Sequence, residues 1–159
     1  VISTSHVEDI LADLKTFLSA NLNTYLDAIE TAKADGIVLA MPPADRIVIG
    51  AVNLDHYKKF PVLFLIPTGE EYEPVTPQRD SIKATIAVWI VTGGFDDVTL
   101  NKMVWRYAAE LRNVIRDAPT WGGLVDQSMV TEIAYFPIVM GEDELQAARV
   151  TVVAEVEAA

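Results

Sequence analysis

The chain contains no cysteine, so disulfides and thiolate metal sites are excluded, a usage that fits a reducing compartment. Histidine is nearly absent: His6 and His56 are the only two, too few and too far apart for a histidine-based zinc site. Basic residues are scarce, with 12 Lys plus Arg against 23 Asp plus Glu, a net charge of -11 and a pI near 4.4. Nucleic-acid binding relies on cations that displace phosphate counterions. The nearest thing to a basic run is Lys58-Lys59, so tight nucleic-acid binding is not expected. No apolar run approaches the ~20 residues of a membrane span, and the start, Val1 to His6, lacks the pattern of a signal peptide. No membrane partner is expected.

Catalytic motifs are missing too. No serine sits in a Gly-x-Ser-x-Gly elbow. Gly93-Gly94 precedes a helix, but Asp96 and Asp97 at its start would repel phosphate, and no P-loop signature accompanies them. Glu142, Asp143 and Glu144 lack the alternating ligands of a calcium loop and read as a turn. We expect no enzymatic activity, no catalytic residues, no cofactor and no metal. Two other classes stay open at this point. One is a small-molecule binding module; the other is an acid-base enzyme built on carboxylates.

What the chain does have is apolar surface. Hydrophobic residues make up 51% of 159 residues, with a mean hydropathy of +0.26. The length suits a single domain over residues 1–159. Such richness asks for a second burial site beyond the core, and a subunit interface supplies one.

The patterning predicts the elements. Ser5 and Glu8 have capping-box spacing. Behind them Val7, Ile10, Leu11, Leu14, Phe17, Leu18, Leu22, Tyr25, Leu26 and Ile29 recur at helical steps, stopping by Gly36. Residues 37–59 hold two short apolar runs, readable as short strands or as an extended arm. Phe60 to Pro67 is continuously apolar, as in a strand buried on both faces. Thr68 to Asp80, with two prolines and Glu70, Glu71 and Glu73, reads as an exposed loop, mobile in the free subunit and ordered on assembly. From Ser81 to Thr92 the period is two: Ile82, Ala84, Ile86, Val88 and Ile90 share one face, and Lys83, Thr85, Ala87, Trp89 and Val91 the other. A second helix spans Val98 to Asp117, capped by Asp96 or Asp97. A hairpin from Ser128 to Glu157 closes the chain, with Pro137 marking an edge or bulge. The sum is an α+β fold: a mostly antiparallel sheet with two amphipathic helices on one face.

Large aromatics are the sharpest interface candidates. Trp89 lies opposite the isoleucine face of its strand, and Trp105 at the margin of the second helix's apolar stripe. Trp121 sits in a Pro-Thr-Trp-Gly-Gly loop, where an exposed indole asks for a partner. Its change to Ala is expected to weaken assembly more than folding. Glu70, Glu71 and Glu73 complete the candidate partner surface.

This layout resembles the tail-terminator (tail-completion) proteins of long-tailed bacteriophages. The likeness is carried by the leucine-rich leading helix and by the strand Phe60-Pro61-Val62-Leu63-Phe64-Leu65-Ile66-Pro67. It continues through Ala87-Val88-Trp89-Ile90-Val91 and the helix segment Tyr107 to Ile115, which leads into Pro119-Thr120-Trp121-Gly122-Gly123-Leu124. An acidic turn and the strand Ala147 to Val153 complete it. The resemblance implies a homo-oligomeric ring, usually hexameric, that caps the tail tube where it meets the head. Its implied partners are further copies of itself, the tail tube protein and the neck or head-completion proteins. The implied location is the virion tail or neck, after assembly in the host cytoplasm. A head-completion or adaptor protein is the neighbouring alternative. The resemblance carries over no catalytic residue.

Overall fold

A computed structural model describes residues 6–50, 54, 57–77, 79–140 and 143–158. The order is α1 (His6–Lys33), a short 3-10 turn (Ala44–Arg46), β1 (Ile47–Ile49), β2 (Val62–Thr76), β3 (Arg79–Gly93), α2 (Asp97–Asp117), β4 (Gln127–Met140) and β5 (Asp143–Ala158). The five strands form one sheet in the order β1-β2-β3-β5-β4. All pairings are antiparallel except β1 with β2, so the fold is α+β with a mostly antiparallel sheet. Ser5, His56, Gly141 and Glu142, which the sequence reading assigned to a capping box, an isolated imidazole and a turn, lie outside the described residues.

Both helices cover the same sheet face. The apolar stripe of α1 (Ile10, Leu11, Leu14, Phe17, Leu18, Leu22, Leu26) and that of α2 (Met103, Val104, Tyr107, Leu111, Val114, Ile115) share one core with Leu63, Leu65, Ile86, Ile90, Val150 and Val152. The helices run antiparallel. Tyr25 of α1 donates its hydroxyl hydrogen to Asp117 Oδ2 at the end of α2 (2.8 Å). Arg106 of α2 reaches Asp35, just past the end of α1. Helix α2 starts where Asp96 accepts the Thr99 backbone N–H at 3.0 Å, so Asp96, not Asp97, is the cap.

The two runs in residues 37–50 resolve differently. Ile37 to Ala40 forms no strand, yet Leu39 is buried and Ala40 accepts the Tyr107 hydroxyl at 2.7 Å. Glu30 also accepts a hydrogen bond from the Leu39 backbone N–H, so this stretch is fastened to both helices. The second run is the parallel edge strand β1.

The segment from Thr68 to Asp80 is the main correction. It is not a loop: β2 pairs with β3 from Val62↔Val91 out to Thr76↔Arg79, with irregularities at Pro67/Gly69 and Pro74/Thr76. Ladder bonds are made by the backbone, so glutamates that cannot enter a core can still extend a strand. Among the described residues, no strand pairs with the outer side of β2 beyond Leu65. Prolines are tolerated on such an edge, where an N–H need not be donated. Pro137 obeys the same rule on the opposite edge strand, β4, whose register shift falls between Val130 and Glu132.

Candidate functional site

Period two gives the sheet a second face, turned away from the helices. Its cross-strand rows follow from the register. One is Phe64↔Trp89↔Arg149↔Ala134, and the next is Val62↔Val91↔Ala147↔Phe136. These rows seed a separate apolar cluster of Val62, Phe64, Val91, Leu145 and Ala147, with Trp89, Phe136, Ile138 and Tyr57 packed half-buried against it. Trp89 and Phe136 lie 5.2 Å apart in a tilted pair. The Arg149 guanidinium sits over both rings, 5.9 and 5.3 Å from their centroids, and is held by Glu132 at 2.7 Å. Its Nε is buried with no acceptor among the described residues. A shallow groove of about 180 Å³ opens between Leu54, Phe64, Ile66, Trp89, Val91 and Ile138. Trp89 therefore stands on the helix-free face, as its alternation predicts, and part of its ring faces outwards.

Glu70, Glu71 and Glu73 lie on the outer half of β2, which is exposed on both faces. Glu70 and Tyr72 are two apart across from Ala84 and Ile82, so they point to the helix side of the sheet. The Tyr72 hydroxyl donates to Glu70 Oε2 at 2.6 Å, and this bond pushes the phenol pKa up. Glu71 stands on the other face, opposite Lys83, which pairs in turn with Glu155 at 3.3 Å. Tyr72 and Val75 are both 54% exposed, large apolar groups on an arm with little beneath them.

Trp105 is 52% exposed on α2, as its place at the margin of the stripe predicts. It lines a groove of about 440 Å³ between the helices with Ile29, Lys33, Lys102, Arg106 and Ala109. Arg106 is engaged by both carboxylate oxygens of Asp35, at 3.0 and 2.5 Å. That fork holds the Asp35 carboxyl well below the usual carboxylate range. Lys33 and Lys102 form no ion pair among the described residues.

Trp121 corrects the sequence reading. It is 2% exposed, stacked on Phe17 with centroids 6.2 Å apart and planes 18° apart, inside the helix-side core. Glycines at 122 and 123, with φ of 73° and 96°, turn the chain so that the indole points inwards. Its surface is already used within its own subunit and is not free to anchor a neighbour.

At the start of α2, Asp96, Asp97 and Glu144 line a cleft of about 660 Å³ with Lys58, Phe60 and Phe95. Glu144 is pushed up from the ordinary carboxyl range, first by a hydrogen bond shared with Asp97. Three carboxyl groups lining one cleft disfavour an anion here.

The sequence-predicted residues thus do not converge on one centre. Trp89 lies on the helix-free sheet face, Trp105 on the outer surface of the helix pair, the three glutamates on the projecting half of β2, and Trp121 in the core. Sequence reasoning missed Phe136 and Arg149, which join Trp89, and Tyr72, which joins Glu70. Strand register brings the first set together, and register is not visible in a single strand's alternation. Among the described residues, no helix is long and apolar enough to cross a membrane. No protein-family model matches this sequence, and no curated protein sequence matches it.

Proposed function

We propose that this chain is a structural subunit that assembles with copies of itself into a ring in a phage tail or neck, closing the tail tube and joining it to the head. The reading starts from the family resemblance in the sequence. The observation that carries it is the set of half-buried apolar groups, Trp89, Phe136 and Ile138, on the face of the sheet that no helix covers among the described residues. Further apolar groups are exposed elsewhere: Val98 (65%) and Trp105 on α2, and Tyr135 and Val139 on the edge strand β4. Unlike patches on different sides suit head-to-tail contacts, which close into rings. In this role the protein acts by shape and contact, with no chemical step. Its partners are the tail tube protein and the neck or head-completion proteins. The net charge of -11 would let DNA pass through the ring without adhering.

The test is the mass of the purified protein by sedimentation velocity and light scattering, with negative-stain imaging. A ring gives a discrete multiple of 17.4 kDa and annular particles. A monomer at every concentration, alone and with tail tube protein, overturns the reading.

A further inference from the structure

The described surface holds one groove rich in unpaired positive charge and one arm rich in negative charge, and they lie on different elements. The groove runs between α1 and α2. Its floor is Ile29, Trp105 and Ala109, and its rim carries Lys33 and Lys102, with Arg106 already bound by Asp35. Lys33 and Lys102 stand beside an exposed indole, and neither forms an ion pair among the described residues. The arm is the outer half of β2, where Glu70, Glu71 and Glu73 flank the exposed Tyr72. Glu70 and Tyr72 are locked together by their hydrogen bond, so the arm presents an aromatic ring and a carboxylate as one unit.

We infer that the groove between the helices receives the β2 arm of a second copy of this chain, with Tyr72 against Trp105 and Ile29 and Glu70 against Lys33 and Lys102. Three features support this occupant. Charge is complementary, acidic arm to basic rim, in a molecule of net charge -11. Size fits, because about 440 Å³ admits a tyrosine side chain with room for its carboxylate neighbour. The contact is also heterologous: it uses one patch as donor and a different one as acceptor, so each copy keeps one of each free until a ring closes. Desolvating Trp105 and Tyr72 together supplies apolar area, and the flanking charges fix register more than they add affinity. The inference rests on the self-assembly reading above and adds the pair of surfaces that meet.

The test is charge exchange, read by sedimentation velocity over a dilution series, with circular dichroism to check that each variant is folded. All the residues changed are exposed, so folding is preserved. Glu70→Lys and Lys102→Glu, each alone, should raise the concentration at which the assembly dissociates by about tenfold or more, and Tyr72→Ala and Trp105→Ala should do the same. Mixing or combining Glu70→Lys with Lys102→Glu should recover most of the loss, because the pair is restored in reverse. Unchanged assembly in the single variants, or losses without rescue, overturns the inference and leaves the ring reading intact. A charge-rescued closed dimer supports the arm-in-groove contact and overturns the ring. A monomeric wild-type protein overturns both.

Discussion

Replacing Trp121 tests the placement of the core directly, because its backbone and its side chain make opposite demands. The indole is 2% exposed and stacked on Phe17, so Trp121→Ala removes a large buried ring and should cost about 3–5 kcal/mol. For a domain of this length that lowers the melting temperature by about 10 °C. The residue also holds φ at 51°, a left-handed conformation that costs a side-chain-bearing residue ~1–2 kcal/mol. Glycine does not bear that cost. At an ordinary position Gly is worse than Ala by roughly 0.5–1 kcal/mol, through the entropy of the unfolded chain. Here relief of the left-handed strain exceeds that penalty, so Trp121→Gly should be more stable than Trp121→Ala by about 0.5–1 kcal/mol. Urea unfolding of the two variants beside the parent measures both quantities. A loss below about 1 kcal/mol in Trp121→Ala would mean the ring is not in the core. The usual order, Ala above Gly, would mean that the left-handed turn is not the native one.

Three further outcomes follow from the same packing. Tyr107→Phe deletes the hydroxyl that reaches the carbonyl of exposed Ala40 at 2.7 Å and should cost about 0.5–1.5 kcal/mol in urea unfolding, the net worth of one hydrogen bond; an unchanged midpoint would show that water replaces it. Gly93→Ala would drive a Cβ into Leu145 and close to Phe60, and should destabilise the protein by about 1–3 kcal/mol, a value that thermal melting would contradict if the variant were neutral. Asp35, lowered chiefly by its Arg106 hydrogen bonds, and Asp96, lowered chiefly by the Thr99 backbone N–H, bind protons less readily folded than unfolded. Their contribution is therefore complete above the unfolded carboxylate pKa of ~3.9 and is lost as pH falls through the lower folded values. The double variant Asp35→Asn/Asp96→Asn should show a flatter decline of the urea midpoint on acidification; parallel curves would rule out that linkage.

The helices were readable from their stripes because an apolar residue every three or four positions has few other uses. The strand Ser81 to Thr92 was readable for the equivalent reason, and its isoleucine face does meet the helices. The arm from Thr68 to Asp80 was not, because its side chains resemble a loop while its backbone obeys the ladder. Two prolines and three glutamates say only that this part of the strand is an edge and is wet. Trp121 was misread for a related cause. Pro, Thr and two glycines gave its surroundings the texture of a surface loop, although paired glycines are also what a chain needs to turn a large ring back inside. Trp89 and Trp105 were placed well by strand alternation and helical stripe. What they meet depends on which strands and helices become neighbours, and that is a property of the whole chain.

Strand β2 changes character part way along. From Leu63 to Leu65 it is an interior strand, flanked by β1 and β3 and buried on both faces; from Pro67 onwards it is wet on both faces and, among the described residues, flanked by β3 alone. One continuous backbone thus serves two masters. Substitutions in the first half are answerable to the fold, and those in the second half to whatever the protein meets. The outer half is free to diverge, exchange its charges or acquire a different tip while the inner half stays still. A new binding preference can arise there by a few changes in a ten-residue stretch, Pro67 to Thr76, with the core untouched.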